Sequence, residues 1–321
     1  MSVLAVDVGG TTTAAGIVGD AGDVLAERQL ATYAGGPGTA RRTIETLVDA
    51  LRADARATPA AIGIGVPAVV DAEQGIVGEE AHHVPELAGV PLARLLTDRF
   101  GIRVFIDNDV NALALGEWRF GAGRGARSLV VLAPGTGFGS GIVVDGRLLR
   151  GAHGFGAELG HVPIDFDGPA CWCGGRGCLA LYASGRVIAE AARTRAMQAD
   201  GRSLLAAAGG DPARIDAPFV FRLAEEGETV ASAIVDEACR AMGAILGVVI
   251  NGLNPDVVVV TGGVAASLVA LEKRLLNAAA EYAFKRALAA TKIVIVPGDK
   301  RSSMRGAAAL ALYELETRRG R

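Results

Sequence analysis

Residues 158–178 read E-L-G-H-V-P-I-D-F-D-G-P-A-C-W-C-G-G-R-G-C and combine one histidine with three closely spaced cysteines. Cys171, Cys173 and Cys178 follow His161, and the intervening glycines allow a tight loop. Three thiolates and one imidazole suit a closed, structural Zn²⁺ site with no position left for substrate. The alternative is three unrelated thiols, but the C-x-C-x₄-C spacing favours zinc. A structural zinc ion would hold this loop, and with it Glu158, in place.

The composition is that of a soluble enzyme. The 321 residues are 50% apolar and 21% charged, with a formal net charge of −3, which gives no general attraction to nucleic acid or anionic membranes. Apolar runs such as residues 242–250 are too short to span a bilayer, and the N-terminus lacks a secretory signal pattern. Clustered cysteines without an export signal fit metal binding better than disulfides. We therefore expect a cytoplasmic protein with no nucleic-acid or membrane partner.

Two turns rich in glycine and threonine follow short apolar runs. The first is G-G-T-T-T at residues 9–13, directly after a run ending in Asp7-Val8, and the second is P-G-T-G-F-G-S at residues 134–140. Glycines bring backbone N–H groups close to a ligand, so each turn is a candidate phosphate site, although such hairpins also occur without one. A similar strand-turn-strand layout recurs at residues 3–30 and 129–149. This repeat predicts two related lobes facing each other across a cleft.

Polar residues mark the junction between a predicted strand and a predicted helix at Asp107, Asn108 and Asp109. Ligands of α/β proteins commonly bind where strands end, and a helix N-terminus favours negative charge. Both aspartates could equally be simple helix caps.

The rest of the chain alternates apolar strand-like runs with helix-like periodicity, which predicts an α/β fold. Strands are predicted at residues 2–8, 24–30, 61–70, 75–77, 102–106, 257–260 and 293–296, and helices at residues 39–55, 91–100, 111–120, 184–199, 218–226, 230–251 and 306–315. A third glycine turn, T-G-G at residues 261–263, follows a valine-rich strand, and the chain ends in a basic tail, R-R-G-R, expected to be solvated.

Taken together, six motifs resemble those of the ROK family (repressors, open reading frames, kinases), within the actin-like ATPase group that includes glucokinases and N-acetylmannosamine kinases. They are D-x-G-G-T at Asp7, D-N-D-x-N-A-x-x-x-G-E at residues 107–117, G-T-G-x-G at Gly135, E-x-G-H at Glu158, C-x-C-G-x-x-G-C-L at Cys171 and G-G at Gly262. ROK repressors carry an N-terminal DNA-binding region, whereas the first predicted strand here starts at residue 2. The resemblance therefore implies a kinase.

This resemblance implies a two-lobed, actin-like ATPase (ribonuclease H-like) α/β fold with a central cleft and a structural zinc loop. Residues 1–118 and 305–321 would form a smaller N-terminal lobe, and residues 119–304 a larger lobe that carries the zinc. A homodimer or homotetramer is expected.

The resemblance also implies roles for individual residues in an ATP-dependent transfer of phosphate to a hexose or N-acyl hexosamine, with the 6-hydroxyl and glucose as the default expectation. Asp109 would be the general base. The sugar would contact Ala68, Asn108, Asp109, Glu158 and His161, and His161 would also bind the zinc. Mg²⁺ would bridge the phosphates. ATP would be bound by Gly9, Gly10, Thr11, Thr12, Gly135, Thr136, Gly137, Gly262 and Gly263, the last two near the adenosine.

Several positions depart from the family pattern. Ala180 stands where a glutamate commonly follows the last zinc cysteine, and Ala68, the pair at residues 156–157 and the loop at residues 81–84 also differ. All four would lie around the sugar, and losing a hydrogen bond to a charged group costs about 1.5–3 kcal/mol. We hypothesise that phosphoryl transfer is retained while sugar preference differs from that of an ordinary glucokinase. His82 or His83 could replace part of the lost contact, or the space at Ala180 could admit a bulkier substituent on the sugar.

A further departure is Thr12, which stands where the family often has lysine and removes a positive charge near the phosphates.

The sequence leaves two other functions open. A catalytically weak sugar-binding or regulatory protein would fit the altered sugar pocket, but it would not need Asp109 or the phosphate turns. A zinc hydrolase fits poorly, because four protein ligands would close the metal site.

Overall fold

The computed structural model describes residues 1–54 and 58–319, and the chain divides into two compact units. Unit 1 comprises Met1–Val131, Gly141–Ala157 and Asp299–Arg321, and unit 2 comprises Leu132–Ser140 and Glu158–Gly298. The division into residues 1–118 with 305–321 and residues 119–304 stays a prediction. The predicted end of the first helix at residue 55 and the last two residues of the basic tail lie outside the described residues.

The strands are β1 (Ser2–Val8), β2 (Thr12–Gly19), β3 (Val24–Ala31), β4 (Ile62–Val66), β5 (Val70–Asp71), β6 (Ile76–Val77), β7 (Val104–Asn108), β8 (Leu129–Pro134), β9 (Phe138–Val144), β10 (Arg147–Leu148), β11 (Val257–Val260) and β12 (Lys292–Ile295). The α-helices are α1 (Ala40–Asp54), α2 (Leu92–Phe100), α3 (Asp109–Phe120), α4 (Ala180–Ala183), α5 (Gly185–Ala196), α6 (Arg202–Ala207), α7 (Ala217–Glu225), α8 (Thr229–Leu253), α9 (Ala265–Leu268), α10 (Glu272–Tyr282), α11 (Lys285–Ala290) and α12 (Lys300–Arg319). Short 3₁₀ helices include Pro85–Leu87 and Leu159–His161.

The first sheet belongs to unit 1 and has the strand order β3-β2-β1-β4-β7. β1 pairs antiparallel with β2, whereas β1 with β4 and β4 with β7 are parallel pairs. β4 is buried throughout and β1 nearly so, as expected for central strands covered by helices. The parallel pairing brings the carboxyl ends of β1, β4 and β7 to one edge, and this edge carries Asp7, Asn108 and Asp109.

Helix α1 packs a single apolar stripe against this sheet. Ile44, Leu47, Val48 and Leu51 recur at helical spacing and are buried, while the intervening charged residues face solvent. The unit 1 core formed around them also includes Leu4, Val6, Ile62, Ile64, Leu92, Leu96 and Ile106.

The second sheet has the order β10-β9-β8-β11-β12, with β11 and β12 parallel. In the first sheet, β1, β2 and β3 are neighbours in that order, and β1 also neighbours β4. In the second sheet, β8, β9 and β10 are neighbours in the same order, and β8 also neighbours β11. This common order confirms the repeat inferred from residues 3–30 and 129–149. In unit 2 the long helix α8 packs against α7 and α10.

Most predicted elements are present with small differences at their ends. The last helix is longer than predicted, because α12 begins at Lys300 rather than at residue 306. Its first turns are polar, K-R-S-S-M-R, and the apolar pattern used for the prediction begins only after them. The predicted strand at 61–70 is shorter, with β4 ending at Val66. Within the described residues, no helix is both long and apolar enough to cross a membrane.

Candidate functional site

The first glycine turn closes between β1 and β2 as predicted. Gly9 donates its N–H to the carbonyl of Thr12 at 3.1 Å, and Thr32 donates its hydroxyl to the carbonyl of Gly9 at 2.5 Å. A Cβ atom on residue 9 would lie 2.7 Å from the Thr12 oxygen, so only glycine fits there. We name residues 9–12, which are predicted to bind phosphate, the first phosphate turn.

The junction between β7 and α3 is capped by Asn108. Its Oδ1 accepts from the N–H groups of Val110 at 2.9 Å and Asn111 at 3.1 Å, which is the usual N-cap arrangement. Its Nδ2 donates to the carbonyl of Ala68 at 3.2 Å. Asp109 is the first residue of α3, where the helix dipole favours a carboxylate. The N-cap of α3 is therefore Asn108, and Asp109 Oδ1 also accepts from the N–H of Val110 at 2.9 Å.

Asp107 lies in a buried charge network that the sequence did not reveal. Arg150 donates from Nε to Asp107 Oδ2 at 2.6 Å and from Nη2 to Glu314 Oε1 at 2.7 Å, and Arg318 donates to the other oxygen of Glu314 at 3.0 Å. Burial disfavours the Arg150 charge, but the two carboxylates outweigh this effect and raise the pKa of Arg150. No local pattern marks the network, because Arg150 is 43 positions from Asp107 and 164 from Glu314.

A second unpredicted contact involves Asp7, at the end of β1. Lys300, in the first turn of α12, donates to Asp7 Oδ2 at 3.1 Å. Burial raises the pKa of Asp7, while the Lys300 ammonium and a hydrogen bond from Ser303 act in the opposite direction. His83 lies beside the first phosphate turn, because a Cβ atom on Gly10 would be 3.5 Å from its Nδ1.

In unit 2, the turn at residues 135–137, here the second phosphate turn, lies against the third glycine turn. Gly135 donates to the carbonyl of Gly137 at 2.9 Å and accepts from the N–H of Gly185 at 2.8 Å. A Cβ atom on Gly262 would lie 2.8 Å from the carbonyl oxygen of Pro134, and one on Gly263 would lie 4.0 Å from the Cα of Gly135. The residues predicted to bind phosphates and adenosine in this unit are therefore neighbours.

Glu158 is the N-cap of the 3₁₀ helix Leu159–His161, and His161 is its last residue. Leu159 donates its N–H to Ser140 Oγ at 3.0 Å, and a Cβ atom on Gly160 would lie 2.2 Å from the Phe138 carbonyl oxygen, so this helix lies directly on β9. Neighbouring protein raises the pKa of Glu158 by desolvation, although its side chain keeps contact with solvent. Desolvation also lowers the pKa of His161, which favours the neutral imidazole that binds metals.

The four predicted zinc ligands come together as a compact cluster. One donor atom from each of His161, Cys171, Cys173 and Cys178 lies within 4.8 Å of all the others. The Cys173 and Cys178 sulfurs are 3.7 Å apart, close to the ~3.8 Å that tetrahedral Zn–S bonds of about 2.3 Å require. Burial, together with the adjacent thiols, raises the pKa of Cys178 to about 12, so its thiolate needs a compensating cation. This arrangement is consistent with a zinc site.

Backbone hydrogen bonds connect the metal cluster to Glu158. Cys171 donates to the carbonyl of Gly175 at 2.9 Å, and Leu179 donates to the carbonyl of Val162, the residue after His161, at 3.0 Å. The ring of Trp172 lies edge-on to the imidazole of His161, with centroids 4.9 Å apart. A metal ion bound by the cluster would therefore fix the orientation of His161 and the segment that carries Glu158.

Comparison with known proteins identifies the family. A sequence model described as "ROK family" matches residues 3–314. The glucokinase of Thermotoga maritima is 35% identical over 312 residues, covering 97% of each chain. The structure of a ROK hexokinase from Thermus thermophilus superposes with a TM-score of 0.82 at 31% identity, covering 99% of this chain and 100% of that one.

A ROK glucokinase from Streptomyces griseus, solved with glucose and AMPPNP, gives a TM-score of 0.77 at 30% identity, covering 97% of this chain and 99% of that chain. These similarities confirm the two-lobed α/β fold that the sequence motifs implied. The chain belongs to the ROK family.

Proposed function

We propose that this protein is an ATP-dependent sugar kinase of the hexokinase type, which transfers the γ-phosphoryl group of ATP to the 6-hydroxyl of a hexose or N-acyl hexosamine. The observation that carries the proposal is Asp109, placed as the first residue of α3 behind the Asn108 cap, in a chain that matches ROK kinases over nearly its full length. The glucokinase relative and the neighbour solved with glucose and AMPPNP support ATP and a sugar as the substrates.

In this mechanism Asp109 accepts the proton of the attacking sugar hydroxyl. A helix N-terminus favours negative charge, and a general base must be ionised to accept a proton. Asn108 would hold a ring hydroxyl, since its side chain is already fixed by the backbone of α3 and by Ala68. Glu158 and His161 would bind further hydroxyls and set the orientation of the ring.

The phosphate turns supply backbone N–H groups to ATP, which enters as its Mg²⁺ complex. Phosphoryl transfer depends mainly on positioning the two substrates and on neutralising charge on the transferred group. The first phosphate turn would bind the phosphates in unit 1. In unit 2 the second phosphate turn would do the same, with Gly262 and Gly263 near the adenosine.

The zinc ion has a structural role in this proposal. With Nδ1 directed towards the metal ligands, 3.6 Å from the Cys171 sulfur, His161 would keep Nε2 for a sugar hydroxyl. Metal binding would thereby fix both the tautomer and the direction of this ring.

The altered positions predicted to lie around the sugar bear on which sugar is preferred. Ala180 is the first residue of α4, and the backbone carbonyl of Ala68 accepts a hydrogen bond from Asn108. Because both residues are alanines, neither offers a charged side chain to the sugar. We infer a preference that differs from that of an ordinary glucokinase, for example for a sugar with a bulkier substituent at C1 or C2. A clear preference for unmodified glucose with ordinary affinity would contradict this part of the proposal.

The decisive experiment measures ADP formation by the zinc-loaded protein with Mg-ATP and a panel of hexoses, N-acetylhexosamines and ketoses. Asp109→Asn is measured alongside, with Asp98→Asn as a control at an exposed carboxylate of α2. We expect turnover with at least one sugar, lost in Asp109→Asn and retained in Asp98→Asn, and ³¹P NMR of the product identifies the hydroxyl.

Two outcomes would contradict the mechanism. Full activity in Asp109→Asn would remove the proposed base. A sugar that raises the melting temperature without being phosphorylated would favour the sugar-binding or regulatory alternative. Light scattering tests the homodimer or homotetramer that the family resemblance implies.

A further inference from the structure

The ammonium group of Lys300 lies beside the first phosphate turn. It donates to Asp7 at 3.1 Å, and it lies 3.6 Å from the position that a Cβ atom on Gly9 would occupy. Lys300 and Asp7 are 293 positions apart in the sequence, so the fold of unit 1 brings the start of α12 to the end of β1. A positive charge is thus placed against the backbone of a turn that has no charged side chain of its own.

The simplest interpretation is that Lys300 only compensates the buried carboxylate of Asp7. The exposure of the two side chains indicates that Lys300 can also contact a ligand from solvent. The Asp7 side chain is 11% exposed and that of Lys300 is 46% exposed, so the pair is open to solvent on the lysine side. An ammonium group carries three donors, and one hydrogen bond to Asp7 leaves capacity for an anionic ligand.

A cation beside Asp7 would also favour phosphate binding at the turn. The triphosphate of ATP is strongly anionic, and a carboxylate directly before a phosphate-binding turn would repel it. The Lys300 ammonium offsets the Asp7 charge at the distance of a hydrogen bond. Lysine is a common phosphate partner in proteins, where it acts as a compact point charge.

We propose that Lys300 is a nucleotide-binding residue, whose ammonium binds the phosphates of ATP at the first phosphate turn while it remains beside Asp7. The inference rests on the proposed kinase function and deepens it. The cation near the phosphates is supplied by α12, from the far end of the sequence, and not by position 12, where Thr12 is uncharged.

Binding measurements without sugar test this assignment directly. Calorimetric titrations with Mg-AMPPNP and with adenosine are compared for wild type, Lys300→Met and Lys300→Arg. Arg301→Met is the control, because Arg301 is the next residue, is exposed and pairs with Glu27 at 3.0 Å. Lys300→Gln, which keeps a donor towards Asp7 without the charge, replaces Lys300→Met if that variant does not fold.

We expect Lys300→Met to weaken AMPPNP binding about 10- to 100-fold and adenosine binding less than about twofold, because the lost contact is to a charged phosphate. Lys300→Arg should recover most of the AMPPNP affinity, and Arg301→Met should match wild type with both ligands. In turnover, the KM for ATP should rise while the KM for the sugar stays constant.

Unchanged AMPPNP affinity in Lys300→Met, or equal losses for AMPPNP and adenosine, would overturn the assignment and leave Lys300 as the counter-ion of Asp7. Failure of the wild-type protein to bind AMPPNP would instead overturn the kinase proposal. The two failures are distinguishable, because the first appears only in the variant and the second already in wild type.

Discussion

Arg150 donates from Nε to Oδ2 of Asp107 at 2.6 Å. Asp107 lies two residues before the proposed base, Asp109. The other oxygen of Asp107 accepts from the N–H of Asn108 at 2.8 Å and from the side chain of Asn111 at 3.0 Å. One buried carboxylate therefore connects Arg150 to both the end of β7 and the first turn of α3. Asp109 lies between Asn108 and Asn111 in the sequence, so its position depends on the hydrogen bonds that these two residues make to Asp107.

Replacing Arg150 with methionine should destabilise the protein strongly. The side chains of Asp107 and Glu314 are only 2% and 8% exposed, and both would lose their shared guanidinium. Removing one partner from a buried ion pair typically costs about 3–5 kcal/mol, and because Arg150 is itself 26% exposed we expect about 3 kcal/mol. Urea denaturation measures the loss, with the exposed Arg147→Met of β10 as the control. A change below about 1 kcal/mol in Arg150→Met would show that water replaces the guanidinium.

The metal cluster should bind about one zinc ion per chain, as a closed four-ligand site does. Metal analysis by mass spectrometry should show this stoichiometry in wild type and a strong reduction in Cys173→Ser. Cys239→Ala is the matched control, because Cys239 is buried within α8 and is not part of the cluster. Chelation should lower the melting temperature of wild type and of Cys239→Ala. Equal zinc content in Cys173→Ser and wild type would exclude the cluster as the binding site.

The Asp7–Lys300 pair predicts a pH-dependent stability difference between wild type and Lys300→Met. Burial raises the pKa of Asp7 above its usual value of 3.8, and the Lys300 ammonium lowers it, so the lysine stabilises only the ionised carboxylate. The stability that the pair contributes is therefore present at neutral pH and is lost as the pH falls through the pKa of Asp7. Because the lysine is 46% exposed, we expect about 1 kcal/mol at pH 7.

Denaturation curves of the two proteins between neutral and acidic pH check this prediction. The difference in unfolding free energy should decrease steadily with pH and vanish once Asp7 is protonated. A difference that is constant over the whole range would mean that Lys300 stabilises the fold by packing and not by charge.

Local features of the site could be predicted from the sequence. The predicted zinc ligands lie close together along the chain, so cysteine spacing alone indicated the cluster that the structure contains. The first phosphate turn is equally local, since Gly9 is required by a contact with Thr12 three residues later. Such features depend on backbone geometry over a few residues, which the order of residue types largely determines.

Contacts between distant parts of the chain could not be predicted in this way. Arg150 is hydrogen-bonded to Glu314, which is 164 positions away in the sequence, and Lys300 is hydrogen-bonded to Asp7, which is 293 positions away. Both pairs depend on how α12 packs on the first sheet, and the polar start of α12 carries no apolar periodicity that would have indicated even its helical structure. One sequence shows charged residues, but only the packed fold shows which of them share a buried site.

The backbone before Glu158 contains a strained alanine that glycine should relieve. Ala157 has a φ of 68°, in the left-handed region that costs a residue with a side chain about 1–2 kcal/mol. Glycine avoids this cost but loses about 0.5–1 kcal/mol through the greater freedom of the unfolded chain. We therefore expect Ala157→Gly to raise the free energy of unfolding by up to about 1.5 kcal/mol, the net of these two effects.

Replacing the neighbouring residue, Gly156, should change the stability of the protein in the opposite direction. A Cβ atom on Gly156 would lie 2.5 Å from the carbonyl carbon of Arg150, so Gly156→Ala must displace backbone and should destabilise the protein. Ala189→Gly, in the middle of α5, is the control for alanine in an ordinary helical conformation and should lose about 1 kcal/mol. Denaturant titration of the three variants gives the comparison. If Ala157→Gly is less stable than wild type, the strain at Ala157 is smaller than the entropic cost of placing glycine there.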